Sequence, residues 1–288
     1  GRLSDFIQCW HRGGKQMIRK ALHAGTFYPR FAGQIQSQIE AWLKDKVPTP
    51  VNERCISLLL PHAGYIYSGQ CAALGMASVA HETIDSVIVL HPSHQGSHFD
   101  FSVSPFTEYE CPMGNLQLDS ELYRRLSAYA EQNLDLDYHA MEHSLEIQLP
   151  LIKHFFPQAL ICPVMIGNQI PQVAKRLSDL LYETVYKSSK RILIVVSSDL
   201  SHYHGAEKAE QMDAQVIRHV TNLDSEGLWK GAMMGKLEAC GIGGIMTMLE
   251  LAGHYSLAKV RVIQYTHSGR VSGMNNQVVG YLAARIFV

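Results

Sequence analysis

A single α/β domain, with a central mixed sheet flanked by helices, is the fold class that this chain of 288 residues predicts. Three observations carry it. Short apolar, β-branched runs (residues 56–60, 87–90 and 192–196) alternate with stretches of helical spacing. Each of these runs leads directly into a polar, histidine-bearing turn, as happens at the carboxyl ends of strands in a doubly wound sheet. No Pro/Ser/Gly-rich linker or charge run divides the chain, and a hydrophobic content of 47% is enough for one large core.

The elements follow in order. Residues 34–44 place Ile35, Ile39, Trp42 and Leu43 at helical spacing, and Pro48 and Pro50 stop the helix. Residues 55–60 read as a buried strand closed by Pro61, and a helix of small residues over 69–81 packs closely on the sheet. The next central strand is 86–90, followed by a loop over 91–96 and a short neighbouring strand over 101–105. Asp119 caps a helix reaching residue 130, with Glu121 in its first turn, where negative charge suits the helix dipole. Residues 142–156 form an amphipathic helix that Pro150 kinks or restarts. The strand over 159–166 contains Pro163, which predicts a bulge or an edge position. A helix over 171–186 precedes the most apolar strand, 191–196. Helices over 207–220, 225–234 and 243–251 follow, and strands over 259–265 and 278–286 close the sheet.

A formal net charge of −1 provides no basic field for nucleic acid or an anionic membrane. No apolar run reaches the roughly 18 residues of a membrane helix. Residues 1–16 are polar, lack a signal-peptide core, and read as a poorly ordered extension ahead of a domain over 17–288. The six cysteines are scattered without a C-x-x-C, which argues against a zinc knuckle and for reduced thiols in a cytoplasmic protein.

The chemistry lies in the turns. His62 follows the first buried strand and His94 the second. Two imidazoles delivered from strand ends suit zinc, copper or iron, although either alone reads equally well as a loop histidine. Cys240 opens the glycine-rich turn 240–244. A helix starting at Gly243 would lower its thiol pKa through the dipole and favour the metal-binding thiolate; the alternative is a small buried residue before a tight turn. Asp199 and His202 fit an orienting or proton-moving pair, or an Asx-turn that ends the strand. His143 and Glu146 share a helical face and are candidates for acid–base work, with Glu142 as a further carboxylate. His23 either reaches the same rim or pins the N-terminal segment. Ser197 and Ser198 lack the G-x-S-x-G elbow of a serine hydrolase, and 240–244 lacks the Gly-Lys-Ser/Thr ending of a P-loop.

Taken together, His23-Ala24-Gly25 with Tyr28, Pro61-His62-Ala63-Gly64-Tyr65, Pro92-Ser93-His94, Glu142-His143-Ser144 with Leu149-Pro150, Ser197-Ser198-Asp199 with His202, and Cys240-Gly241 resemble the Memo family. Its prokaryotic members are known as AmmeMemoRadiSam system protein B. The resemblance implies a class III extradiol dioxygenase-like (LigB-like) fold. It also implies that His62, His94 and Cys240 are metal-binding positions and that His202 lines the pocket. Iron or copper is the implied metal, with zinc as a third option, and the implied associates are a radical SAM protein and an AMMECR1-type protein. Cys240 stands where ring-cleaving dioxygenases use a carboxylate, which argues against ring cleavage. His91 stands where animal relatives carry glycine.

The expected function is a cytoplasmic, iron- or copper-dependent oxidoreductase in which Asp199, His202, His143 and Glu146 orient groups or move protons. Two other functions use the same pocket: a non-catalytic binding or scaffold protein for a small molecule or peptide, and a zinc-type hydrolase.

Overall fold

The computed structural model describes residues 8–11, 14–46 and 52–288. The expectation of poor order over 1–16 falls in part on residues 1–7, 12 and 13, outside that set. In chain order, the first elements are β1 (Gln8–His11), β2 (Gly14–Arg19), α1 (Ala32–Leu43), β3 (Cys55–Leu60), α2 (Tyr65–Ala77), β4 (Ser86–Pro92), β5 (Phe101–Val103), β6 (Glu108–Tyr109) and β7 (Leu116–Gln117). The middle contributes α3 (Ser120–Ser127), α4 (Asp137–Ala140), α5 (His143–Glu146), α6 (Leu149–Phe155), β8 (Leu160–Ile166), α7 (Pro171–Lys187), β9 (Ile192–Ser197) and β10 (His202–His204). The last are α8 (Ala206–Thr221), α9 (Ser225–Met233), α10 (Ile242–Ala252), β11 (Lys259–His267), α11 (Gly269–Ser272) and β12 (Val278–Phe287).

Eight strands form one mixed sheet in the order β10-β12-β3-β9-β4-β8-β5, with β11 paired to β12. β3, β9, β4 and β8 run parallel, and β12, β11 and β5 are antiparallel to their neighbours. Side chains alternate across the sheet, as strand geometry requires. Val87, Val89, Leu193 and Val195 join one core, with α1, α2 and α6. Ile88, Leu90, Ile194 and Val196 join the other, with α7, α8 and α10. Burial on both faces explains why these strands read as continuous apolar runs. A second sheet, β1-β2-β6-β7, flanks the first.

Several expectations hold in detail. Asp119 caps α3, accepting from the amides of Glu121 and Leu122. The predicted helix over 142–156 is two helices, α5 and α6, and Pro150 sits in the first turn of the second. Pro163 is a correction. β8 lies between β4 and β5, and its ladder with β4 is unbroken from Ser86↔Leu160 to Pro92↔Ile166. A residue's N–H and C=O point to the same side of a strand, and the Pro163 carbonyl accepts from Ser104 on the β5 side. The missing N–H therefore faces β5, whose ladder stops at Val103↔Val164, and the β4 ladder loses nothing. The helix expected from residue 69 begins earlier, at Tyr65, directly after the His62 turn.

Candidate metal centre

Three adjacent parallel strands deliver the heart of the site. His62, His94 and Asp199 each follow a strand end, those of β3, β4 and β9, and β9 lies between the other two. Their turns therefore lie side by side at the carboxyl rim of the sheet, where ligand sites of such folds form. His143, which opens α5, completes a cluster. One ring nitrogen from each of His62, His94 and His143 lies within 4.8 Å of the other two. Ring centroids are 5.7 Å apart for His62 and His94, 5.4 Å for His62 and His143, and 4.6 Å for His94 and His143. The Cys240 thiol approaches from the His62 side, with Sγ 3.1 Å from His62 Nε2. Gly241 must follow it, because a Cβ there would meet the Ser197 carbonyl oxygen at 2.6 Å.

The hydrogen-bond network assigns both strand-end imidazoles to one tautomer. Ser197 Oγ donates to the Ser144 carbonyl at 2.7 Å, so it accepts at 2.9 Å from His62 Nδ1–H. His94 Nδ1–H donates to the Glu142 carboxylate at 2.9 Å and 3.0 Å. In each neutral ring the lone pair is thereby placed on Nε2, facing the Cys240 thiol in His62, the arrangement by which outer partners prepare metal-ligating histidines. His62 is also held by its backbone N–H, which donates to Asp199 Oδ1 at 2.8 Å.

Burial sets the protonation states. The His62 imidazole is pushed down to about 3, first by burial and then by the charge of His94. His143 is pushed down to about 4 by burial and by His62. Both are neutral at physiological pH, as donors must be. His94 moves up instead, because its bond to Glu142 outweighs its burial. Burial acts to raise Glu142, but its bond to His94 and the charges of His91 and His94 hold it below the usual carboxylate range. Asp199 is raised to about 6, chiefly by burial. The expectation of an acidified Cys240 is overturned. α10 does begin at Ile242, yet burial, followed by the nearby Asp199 carboxylate, pushes the thiol well above its ordinary value. Without a metal, Cys240 is a thiol that donates to the His62 Nε2 lone pair.

The shared helical face expected of His143 and Glu146 does not form. α5 is a single turn, and the two side chains part. Glu146 is fully buried and accepts from Arg19 Nη1 at 2.7 Å, the Tyr28 hydroxyl at 2.9 Å, and the amides of Leu22 and His23 at 3.1 Å and 2.8 Å. Its oxygens are occupied away from the histidine cluster. His202 is half-buried at the start of β10, and its backbone N–H donates to Glu238 Oε1 at 3.3 Å. His23 does both things expected of it. It bonds the Met141 carbonyl at 2.8 Å, and its ring stands 6.1 Å from His143. His91 lies behind the site, its Nδ1 near the Pro92 carbonyl at 2.9 Å, and it adds no donor to the cluster.

Arg19 and Phe27 carried no signal in the sequence, and Glu142, read there as a further carboxylate, takes a role that reading did not give it. Arg19 reaches from β2 to bond the carbonyls of His139 and Glu142 as well as Glu146, holding the segment that presents His143. Phe27 stacks on His143 at 4.8 Å and 25°. Glu142 had an available signal as a helix-capping residue directly ahead of His143-Ser144, and its oxygen accepts from the Ser144 amide.

A family model described as Memo, Memo-like protein, matches residues 19–285. The chain is similar to a MEMO1 family protein of Desulfurococcus amylolyticus, with 34% identity over 281 residues covering 94% of this chain and 99% of the relative. It is 35% identical over 282 residues to MEMO1 family protein YG5714_2180 of Saccharolobus islandicus, covering 93% and 99%. A MEMO1 family protein of Thermotoga neapolitana is 34% identical over 281 residues with the same coverage. Among solved structures, the uncharacterized protein JW3007 of Escherichia coli K12 aligns with a TM-score of 0.49 at 13% identity, covering 80% of this chain and 99% of that one.

Proposed function

The chain belongs to the Memo family, and from that premise we propose that its rim pocket is a metal centre serving oxidoreductase chemistry. His62 and His94 are the two fixed donors, His143 completes the group of three nitrogens, and Cys240, beside His62 and outside that group, is the sulfur donor that would join them. The observation that carries this reading is the pair of imidazoles whose Nδ1–H groups are tied back to Ser197 and Glu142, leaving both Nε2 lone pairs for one ion. A nitrogen-rich set with one sulfur suits iron, copper or zinc and disfavours magnesium or calcium. Bound iron or copper would supply one-electron chemistry and an open position for a small ligand. Around it, Asp199 fixes His62 through the backbone and, with a carboxyl raised to about 6, holds or releases a proton near neutral pH. His202 completes the wall on that side. Glu142 orients His94, and Glu146 with Arg19 positions the segment carrying His143 rather than touching the chemistry.

The finer fold assignment, class III extradiol dioxygenase-like (LigB-like), belongs to the same proposal, as does a domain over 17–288. So do a cytoplasmic location and association with radical SAM and AMMECR1-type proteins. No helix among the described residues is long and apolar enough to cross a membrane.

A second reading, a pocket that binds a small molecule or peptide without turnover, is favoured by the exposed Ile66 and Tyr67 in the first turn of α2, directly after the His62 turn, and by the exposed Tyr203 in β10. Metal analysis of anaerobically purified protein, with titration of iron(II), copper(I) and zinc(II), tests the leading proposal. One ion per chain is expected in the wild type, with His62→Ala losing at least about 100-fold in affinity. Wild-type affinity no tighter than that of the variant would overturn it, and metal-loaded protein that neither consumes oxygen nor hydrolyses esters would select the second reading.

A further inference from the structure

We propose that the trough between α8 and α9 docks an acidic segment of a partner protein. The trough encloses 660 Å³ and is lined by Lys208, Arg218, Lys230 and Lys236, with no carboxylate in its lining. The whole chain carries a formal charge of −1, so this concentration of cations is local and not a consequence of composition. Lys230 is tied to Glu226 at 2.8 Å and His219 to Asp224 at 3.1 Å, whereas Lys208, Arg218 and Lys236 make no ion pair among the described residues. Three cations thus outnumber the carboxylates at its edge, Glu226 and Asp224, which are engaged with Lys230 and His219, and such a surface is complementary to a run of carboxylates.

Apolar surface within the trough narrows the choice of partner. Met212 forms a buried part of the lining at 7% exposure, and Met234 is 66% exposed. Flexible thioethers adapt to an apolar anchor residue on an otherwise acidic peptide. No Phe, Tyr or Trp ring lines the trough and His219 is its single imidazole, so single-stranded nucleic acid, which needs successive stacking platforms, fits it less well. An adjoining trough of 670 Å³ shares Lys208 and Gln211 and continues past Gly205 at the start of α8; Glu207 lines it, so the cationic stretch ends at Lys208 and the acidic run is confined to the first trough. None of the histidine-cluster residues contributes to either trough, and the proposal stands whatever the metal centre does.

The test is fluorescence anisotropy of the full chain with a labelled Glu/Asp-rich peptide carrying one leucine, compared with a Lys/Arg-rich peptide and an oligothymidylate. Saturable binding of the acidic peptide is expected, weakening as salt is raised. Lys208→Glu combined with Lys236→Glu should weaken it by at least about tenfold. Met234→Ser should weaken it several-fold with little change in salt dependence. If the charge-reversed variant is poorly folded by circular dichroism, Lys208→Gln with Lys236→Gln provides the same comparison. Absence of saturable binding, undiminished binding by the folded variants, or oligothymidylate binding as tight as the peptide would each overturn the proposal.

Discussion

One oxygen of Glu142 holds His94 twice: Oε1 accepts the backbone N–H at 2.7 Å and the ring Nδ1–H at 2.9 Å. Backbone and ring are thus fixed by the same carboxylate, although the His94 side chain is 40% exposed. An imidazole this open would otherwise sample several rotamers, and the carboxylate replaces the packing that a buried ligand enjoys.

Glu142→Gln should therefore weaken metal binding by about 10–100-fold, the usual cost of losing an outer partner of a ligating histidine. Titration with zinc(II) or copper measures it. Affinity unchanged from wild type would show that His94 is held by something else.

Stability of the metal-free protein should rise steeply from about pH 4 to about pH 6.5. His62 and His139 are lowered to about 3, and His91 and His143 to about 4, in each case chiefly by burial. A lowered histidine is neutral when folded and takes up a proton on unfolding, so stability is lost as pH falls below its unfolded value of about 6.5. Asp199 opposes this, because its raised carboxyl releases a proton on unfolding between its ordinary value and about 6. Four protons taken up and one released leave a net uptake of about three, each worth about 1.4 kcal/mol per pH unit. His94 acts in the other direction. Its raised value stabilises below about 6.5, and that contribution fades as pH climbs through its folded value. Denaturant melts across this range are the measurement, and a flat profile between pH 4 and 6.5 would contradict the assigned neutral histidines.

Binding of one metal ion near pH 7 should release about one proton from Cys240, whose buried thiol starts protonated, and a further fraction from His94, whose value is raised by Glu142, while His62 and His143 start neutral. Calorimetry in buffers of different ionisation enthalpy counts it. Cys240→Ser should release about one proton fewer and lose most affinity for copper(I). Equal proton release by both proteins would remove Cys240 from the donor set.

Arg19→Leu should destabilise the fold by about 3–5 kcal/mol, because it leaves the fully buried Glu146 carboxylate without its cation. Arg19→Leu with Glu146→Gln should recover part of that loss, and thermal melts of both proteins decide it. A single variant as stable as wild type would show that water or the Tyr28 hydroxyl already neutralises the site.

Much of the fold was legible because β3, β4 and β9 are buried on both faces and announce themselves as unbroken apolar runs followed by polar turns. The same periodicity placed His62, His94 and Asp199 at one rim. What stayed illegible depends on contacts between distant parts of the chain. Arg19 and Glu146 are 127 residues apart and look like surface charges in sequence, yet both are fully buried. The dipole argument for Cys240 used local helix geometry alone, and burial, which the local sequence does not report, reversed its sign. The short strands β6, β7 and β10 escaped notice because two or three residues carry no period.

His62, His94 and Asp199 each lie two residues beyond the last residue of a strand, Leu60, Pro92 and Ser197 respectively. The ladders that hold those strands are made upstream of these three residues, so a substitution at any of them leaves the ladder hydrogen bonds in place. Inheritance of shape is thereby uncoupled from inheritance of reactivity. A lineage could exchange Cys240 for a carboxylate, or drop an imidazole, through one point mutation and still fold. On such a scaffold, relatives of the same shape are free to diverge into enzymes, binders and inert descendants.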